Sequence, residues 1–180
     1  MVIYNENELD SIAFELKNFK SAIFLTDTIF GILSINKNKI YKIKKRPFYK
    51  KIILFIPNTK YIKKISPSEQ VFLNKVWPSP LTIIKSKISY RIPNDDFILK
   101  LLSKTGPLYC SSANFNKMDP ITSIEEGILL FEKFNDQIIY VKRNRNLDNN
   151  VPSTIFNIDK HKVVREGSIS LADIDKLLNT

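Results

Sequence analysis

Four short clusters in the sequence set polar or cationic side chains at spacings that suit anion chemistry. Lys44-Lys45-Arg46-Pro47 places two cations two residues apart, just before a proline that holds the chain extended. In an extended segment residues at that spacing face one side, so Lys44 and Arg46 can clamp a single anion together. Arginine supplies a bidentate fork for phosphate or carboxylate, and lysine a point charge. A solvated basic face is the plainer reading of the same residues. Ser112-Ala113-Asn114 ends a strand, so Ser112 and Asn114 share a face and can read an anion or simply form a turn. Thr26-Asp27-Thr28 follows a buried strand and offers small hydroxyls to a ligand or to a cap. Arg91, inside the apolar strand Tyr90-Arg91-Ile92-Pro93, needs an anionic partner if it is buried. Trp77 reads as a core anchor, Cys110 as an inert buried thiol and His161, beside Lys160 and Lys162, as an exposed group without a chemical role.

The rest of the chain narrows the function classes. With 1 Cys and 1 His there is neither a disulfide framework nor a Cys/His zinc cluster. A Walker A loop, a dinucleotide glycine fingerprint, a nucleophile elbow and an HExxH helix are all missing. Thr28 to Asn94 carries fifteen Lys and Arg against one acid, Glu69, a local +14 that leaves −4 on the rest of a +10 chain. That asymmetry suits a polyanion such as nucleotide phosphates or an RNA backbone, although AT-rich coding also produces lysine. The dense run Lys42, Lys44, Lys45, Arg46, Lys50, Lys51 is the part that coding bias explains least. MVIYNENELD is no signal peptide, and no apolar run nears the ~20 residues that cross a bilayer, so a cytoplasmic protein with no membrane partner is expected.

The elements that must hold these clusters follow from periodicity and punctuation. Residues 6–19 read as an amphipathic helix with Leu9, Ile12, Ala13, Leu16 and Phe19 on one face. Ala22–Leu25 is a short apolar strand, and Ile52–Ile56 a second, wholly apolar and so expected to be buried on both faces. Ser66-Pro67-Ser68-Glu69 is a capping box with proline at the first helical position, opening a helix that ends near Trp77. Strands follow at Thr82–Ile84 and Ile88–Ile92, then a helix capped by Asn94 or Asp95 that ends at Gly106. Leu108–Ser111 is a strand, and Thr122 and Ser123 each precede a glutamate by three residues, starting a helix to about Phe134. Strands at Ile138–Val141, Thr154–Ile158 and Lys162–Arg165 and a final helix capped by Ser170 complete the order. Arg143–Asn150 is the one stretch that reads as flexible. The whole is one α/β (α+β) domain over residues 1–180, a twisted mixed β-sheet flanked by helices.

Taken in order, the clusters resemble the YrdC/Sua5 family, the threonylcarbamoyl-AMP synthases of tRNA modification. The family's Pro-Thr-(Asp/Glu)-Thr-x-Tyr-Gly-Leu corresponds to Leu25 through Ile32, its Lys-x-Arg-Pro to Lys44–Pro47 and its Trp-Pro-Gly-Pro-Leu-Thr to Trp77–Thr82. Its Val-Arg-x-Pro strand is Tyr90–Pro93, its Ser-x-Asn is Ser112–Asn114, its Pro-Ser-Thr-Ile is Pro152–Ile155 and its Arg-x-Gly is Arg165–Gly167. The correspondence is collinear from about residue 9 to residue 170. Leu25, Phe30 and Ser79 depart from the usual Pro, Tyr and Gly, and Phe115-Asn116-Lys117 follows Ser112-Ala113-Asn114 where a glycine is usual.

The resemblance implies a YrdC-like fold with a positively charged cavity. It also implies conversion of L-threonine, bicarbonate and ATP to L-threonylcarbamoyl-adenylate and pyrophosphate. The adenylate would serve adenosine 37 of tRNA, reached directly or through a threonylcarbamoyl-transferase partner. By the family pattern Lys44 and Arg46 are catalytic, and Thr28, Arg46, Arg91 and Ser112 hold threonine. Thr26, Lys44, Lys50, Asn114, Thr122 and Arg165 fall where ATP contacts are expected, with Mg²⁺ held mainly through phosphates and no protein metal site. The alternative is a non-catalytic double-stranded RNA or tRNA-binding module on the same fold, which the sequence equips with basic charge but without interleaved exposed aromatics for unpaired bases. A carbamoyl-transfer domain of the hydrogenase-maturation kind is disfavoured by length.

Overall fold

The computed structural model describes residues 1–146 and 151–179. Among them, ten strands form one mixed sheet. In chain order the strands are β1 (Val2–Asn5), β2 (Ser21–Leu25), β3 (Phe30–Ser34), β4 (Ile53–Phe55), β5 (Leu81–Lys85), β6 (Ile88–Arg91), β7 (Leu108–Ser112), β8 (Ile138–Lys142), β9 (Thr154–Asn157) and β10 (Lys162–Arg165). The helices are α1 (Leu9–Lys17), α2 (Lys37–Ile43), α3 (Pro67–Val76), α4 (Asp96–Thr105), α5 (Ile124–Leu130) and α6 (Leu171–Asn179). Across the sheet the strands run β1-β8-β2-β3-β7-β4-β6-β5-β9-β10. The β1–β8, β2–β8, β4–β6 and β5–β9 pairs are parallel and the others antiparallel.

Side-chain alternation distributes the helices over the two faces. Along β2, Ala22 and Phe24 pack with α1 and α4, while Ile23 and Leu25 pack with α2 and α5. Farther across, Ile83, Tyr90 and Phe156 point to the face covered by α3 and by Ile174 of α6. The opposite face of that half carries no helix. Ile53 and Phe55 of β4, Ser89 and Arg91 of β6, and Ile155 of β9 floor a cavity there, and none of its lining residues lies in a helix.

Several expected elements shift for definable reasons. Helix α1 begins at Leu9 after Glu8, whose side chain makes no cap bond. The strand expected at Ile52–Ile56 is Ile53–Phe55, and Ile53 is only partly buried because its face of β4 opens on the cavity, while Leu54, also partly buried, packs on the opposite face with the α3 cluster. Strands β1 and β3 and helix α2 were not expected. The α2 sequence KNKIYKI buries only Ile40, Tyr41 and Ile43, a short apolar face under a lysine-rich surface. Asp95, not Asn94, caps α4, accepting from the Ile98 N–H at 3.0 Å, and Gly106 closes that helix at φ 77, open to glycine at no steric cost. Ser123, not Thr122, caps α5, which stops at Leu130 before a 3₁₀ turn over Glu132–Phe134. The α3 capping box forms as read, with both reciprocal bonds present. Trp77 is a buried anchor whose Nε1 donates to the Leu81 carbonyl at 2.7 Å.

Of the stretch expected to be flexible, Leu147–Asn150 lies outside the described residues, whereas Arg143 and Arg145 are tied down. Arg143 meets Glu6 at 2.6 Å and Asp95 at 3.0 Å, stacks over Phe97 at 4.3 Å, and shares Asp95 with Arg145 at 2.8 Å. No helix among the described residues is long and apolar enough to cross a membrane.

Candidate active site

The cavity on the uncovered face encloses about 270 Å³. It gathers strand ends remote in sequence: Thr26 and Thr28 after β2, Ser111 and Ser112 ending β7, Arg91 ending β6, Ser153 before β9, and Arg165 at the end of β10. Arg46 and Lys51 enter from the loop between α2 and β4. A second recess of about 450 Å³ shares Thr26 and Thr28 as a wall and is completed by Asp27, Arg145 and Gly167. Thr26 is itself the organiser of its turn. Its Oγ1 donates to the Ile29 carbonyl at 2.7 Å and accepts from the Thr28 and Ile29 N–H groups at 3.3 Å. The short hydroxyl turn therefore positions Thr28 at the cavity rim rather than letting the chain continue as a strand.

Lys44 and Arg46 meet the cavity differently from the expectation of an extended segment. Lys44 is the C-cap of α2 in helical conformation, and Lys45 has φ 48, so the chain turns sharply between the two cations. The helix that was not foreseen is the reason. Lys44 ties to the end of β7, and Arg46 to the carbonyls of Lys50 and Lys51 ahead of β4. Lys44 is 1 % exposed, and its Nζ donates to the Ser112 carbonyl, to Ser112 Oγ at 3.3 Å and to Asn114 Oδ1 at 2.8 Å. Ser112 Oγ donates to Asn114 Oδ1 at 2.6 Å, closing a three-residue knot behind the cavity wall. Arg46 lines the cavity itself, its Nη2 donating to the Lys51 carbonyl at 2.9 Å.

These cations are held by neutral acceptors. Burial, and then the neighbouring Arg46 charge, push the Lys44 ammonium from 10.5 down to about 7. Burial also lowers Arg46, and burial together with Arg91 lowers Arg165, whose Nη2 donates to the Ser153 carbonyl at 2.6 Å. Downward shifts of this kind mean that the pocket disfavours positive charge until an anion enters it. Arg91, by contrast, has a carboxylate partner. It pairs with Asp27 at 2.6 Å, the two side chains being 3 % and 4 % exposed, and its Nη1 faces Thr28 Oγ1 at 3.3 Å. The second Asp27 oxygen, Oδ1, is buried without a partner among the described residues. Cys110 also borders the cavity, but burial raises its thiol to about 12, so it stays protonated.

The family model of the Sua5, YciO and YrdC proteins, described as telomere recombination, matches residues 16–167. The chain belongs to this family. It is 31% identical over 166 residues to the uncharacterized MG259 homolog of Mycoplasma pneumoniae, a match that spans 88% of this chain and 34% of that protein. The chain thus spans about a third of the length of the curated relatives it matches. Among solved structures it superposes on P. abyssi Sua5 complexed with L-threonine at a TM-score of 0.84 and 21% identity, over 98% of this chain and 61% of that one. E. coli YciO gives 0.78 at 16% identity, over 96% and 98%.

The Sua5/YciO/YrdC signatures acquire physical reasons here. The closing Arg-x-Gly needs its glycine because a Cβ on Gly167 would run into the carbonyl of Pro152, the chain that forms the cavity wall beside Ser153. Of the residues singled out from sequence, Thr26, Thr28, Arg46, Arg91, Ser112 and Arg165 line one cavity, with Lys44 and Asn114 directly behind Ser112. Lys50 stands off it, donating to Asn116 Oδ1 at 2.6 Å. Thr122 lies in a separate groove beside Met118 and Leu129, and Glu126 holds both its N–H and its hydroxyl. Asp27, Lys51, Ser89 and Ser153, to which the sequence assigns no role, also line the two recesses. Asp27 was discoverable, since a buried Arg91 demands an acid and the acids of the Thr28–Asn94 stretch number one. His161 is exposed as expected.

Proposed function

We propose that the chain forms L-threonylcarbamoyl-adenylate from L-threonine, bicarbonate and ATP, for transfer to tRNA adenosine. In that reaction the threonine amine takes up the bicarbonate carbon with loss of water. One oxygen of the new carboxylate then attacks the α-phosphorus of ATP, and the bond from that phosphorus to the bridging oxygen breaks as pyrophosphate leaves. The protein contributes position and charge rather than covalent chemistry. The observation that carries the reading is the convergence of Arg46, Arg165 and Lys44, none of them paired with a carboxylate among the described residues, on the hydroxyls of Thr26, Thr28, Ser112 and Ser153. An anionic substrate entering there relieves three depressed cations at once.

Thr28, Ser112 and Arg46 are the groups suited to threonine's hydroxyl and carboxylate, with Arg91 holding the threonine turn through Asp27 and Thr28. Thr26 and Arg165 line the cavity where phosphates would lie, with Lys44 and Asn114 acting from behind Ser112; Lys50 and Thr122, which stand off the cavity, have no part in the proposal. The L-threonine complex of P. abyssi Sua5 supports the choice of amino acid. No group of three or more His, Cys, Asp or Glu among the described residues is placed to hold a metal, so Mg²⁺ enters the proposal only on the nucleotide's phosphates. The test is pyrophosphate release from ATP. Release that requires both L-threonine and bicarbonate, and falls with glycine or serine, carries the reading. A folded protein without such release overturns it.

A further inference from the structure

Carbamate formation has a requirement that anion-binding groups alone do not meet. L-Threonine enters as a zwitterion, and its ammonium has no lone pair for the bicarbonate carbon until a proton is removed. The cavity offers few acceptors for that proton. Among the described residues that line it there is no histidine, aspartate or glutamate. Arg46, Arg91 and Arg165 cannot serve, because a guanidinium keeps its proton in proteins. Lys51 is open to solvent, and burial holds the Cys110 thiol protonated. His161 is exposed on the surface, and Asp27 of the neighbouring recess is bound to Arg91.

Lys44 is placed differently. Its Nζ lies 3.3 Å from Ser112 Oγ, and Ser112 lines the cavity. Its other two contacts are carbonyl oxygens, that of the Ser112 backbone and Asn114 Oδ1. A neutral amine has two N–H groups and one lone pair. The two carbonyl oxygens satisfy the donors, and the lone pair is left for the Ser112 hydroxyl, which can rotate its hydrogen from Asn114 Oδ1 to Nζ. The titratable groups facing Lys44 are Arg46 from the following loop and Cys110 from β7. Burial and then Arg46 bring its ammonium to about 7, with Cys110 acting in the opposite sense. Lys85 is the contrast. It meets Glu69 at 2.7 Å and Asp159 at 2.9 Å, and those carboxylates push its ammonium up. An acid beside Lys44 would likewise fix the proton there and end its use as an acceptor.

We infer that Lys44 is the proton acceptor for threonine carboxylation and acts through the Ser112 hydroxyl, an inference that rests on the proposed function. One ammonium proton passes to Ser112 Oγ as the Ser112 hydroxyl proton passes to Nζ. The freed amine attacks the bicarbonate carbon and the N–C bond forms. The C–OH bond breaks, and the hydroxyl takes one of the two remaining N–H protons and leaves as water. Zwitterionic threonine, bicarbonate and a neutral lysine thus become a dianionic carbamate, water and a lysine ammonium. The negative charge gained by the substrate appears beside the positive charge gained by Lys44, which favours the transfer. Departure of the products restores a site that disfavours the ammonium, and the proton returns to solvent.

Two measurements test this. The first is 13C NMR of the free chain labelled in its lysines, with the Lys44 signal identified by its loss in Lys44→Met. The amine should titrate near 7, and titration near 10.5 overturns the inference. The second is the pH dependence of threonine-dependent pyrophosphate release, with bicarbonate held constant. In the wild type kcat/KM for threonine should rise with pH and level off above about 7. Lys44→Arg keeps the charge but cannot accept the proton, so kcat should fall ~100-fold or more and the rising limb should vanish. Ser112→Ala should lose the same limb, and Ser112→Thr, which keeps the hydroxyl, should retain it. Circular dichroism establishes that each variant is folded. Release by Lys44→Arg within about tenfold of the wild type overturns the inference, as does a limb that persists in Ser112→Ala, and either result leaves the proposed function standing. Absence of release from the wild type overturns the proposed function itself, and the proton transfer with it.

Discussion

Two cationic clusters stand at strand ends of the same sheet, and they are wired in opposite ways. At the end of β8, Arg143 and Arg145 converge on Asp95, which is 1 % exposed, and Arg143 adds Glu6. Each charge there has met its opposite, and Asp95 caps α4 as well, so the cluster joins the N-terminal strand, the helix and the sheet. Around the cavity, Lys44, Arg46 and Arg165 are satisfied by carbonyls, hydroxyls and an amide, and the one buried acid, Asp27, is already taken by Arg91. In the first cluster each guanidinium has a carboxylate partner. The second is hydrogen-bonded but not neutralised, and that difference, rather than the number of arginines, separates a structural ion network from a candidate binding site.

The sharpest way to break the comparison is Arg46→Ala. Threonine- and bicarbonate-dependent pyrophosphate release should fall by ~100-fold or more with little change in melting temperature, and turnover near the wild-type rate would remove Arg46 from the site. Asp95→Asn makes the opposite trade. Among the described residues it leaves Arg145 without an acid and Arg143 with Glu6 alone, and it should cost about 3 kcal/mol of stability in denaturant titration, with release per folded molecule unchanged within a few-fold.

Lys44→Met sharpens the contrast further. Removing a buried ammonium with no carboxylate partner should raise the stability of the free protein at pH 6 by on the order of 2 kcal/mol while abolishing release. The same lysine fixes a pH dependence. The unfolded chain keeps that proton to about 10.5 and the folded protein gives it up near 7, so between those values the unfolded state binds more protons. Wild-type stability should therefore gain a contribution as pH rises from 7 toward 10.5, absent in Lys44→Met, and equal pH profiles would mean the ammonium is not desolvated as described. The smallest effect belongs to Ser66→Ala. Loss of its capping bonds to Glu69 should cost ~1 kcal/mol and leave release untouched, because α3 covers the face away from the cavity.

Much of the frame was legible because its signals are local. The capping box at Ser66, the αL glycine after α4 and the apolar runs of β2 and β8 are encoded within a few residues of themselves. Helix α2 was not legible, since its seven residues bury only three side chains and lysines fill the rest, a pattern that reads equally as a charged loop. That omission propagated to the site: without α2, Lys44 and Arg46 read as neighbours on an extended chain, when they are a buried helix cap and a cavity wall on either side of a turn.

By itself the sequence determined that polar and cationic side chains come in strand-end clusters, because residue type and spacing are local properties. Its collinear motifs also determined the family. Only the tertiary structure decided which cations are spent. Whether Arg91 or Arg46 is free depends on where Asp27 lies, sixty-four positions from Arg91 and 2.6 Å away from it. Whether Phe48 and Tyr49 are buried or exposed likewise depends on how a braced loop leaves the sheet. Burial and pairing of charge are set by contacts between distant segments, and no spacing rule along one chain contains them.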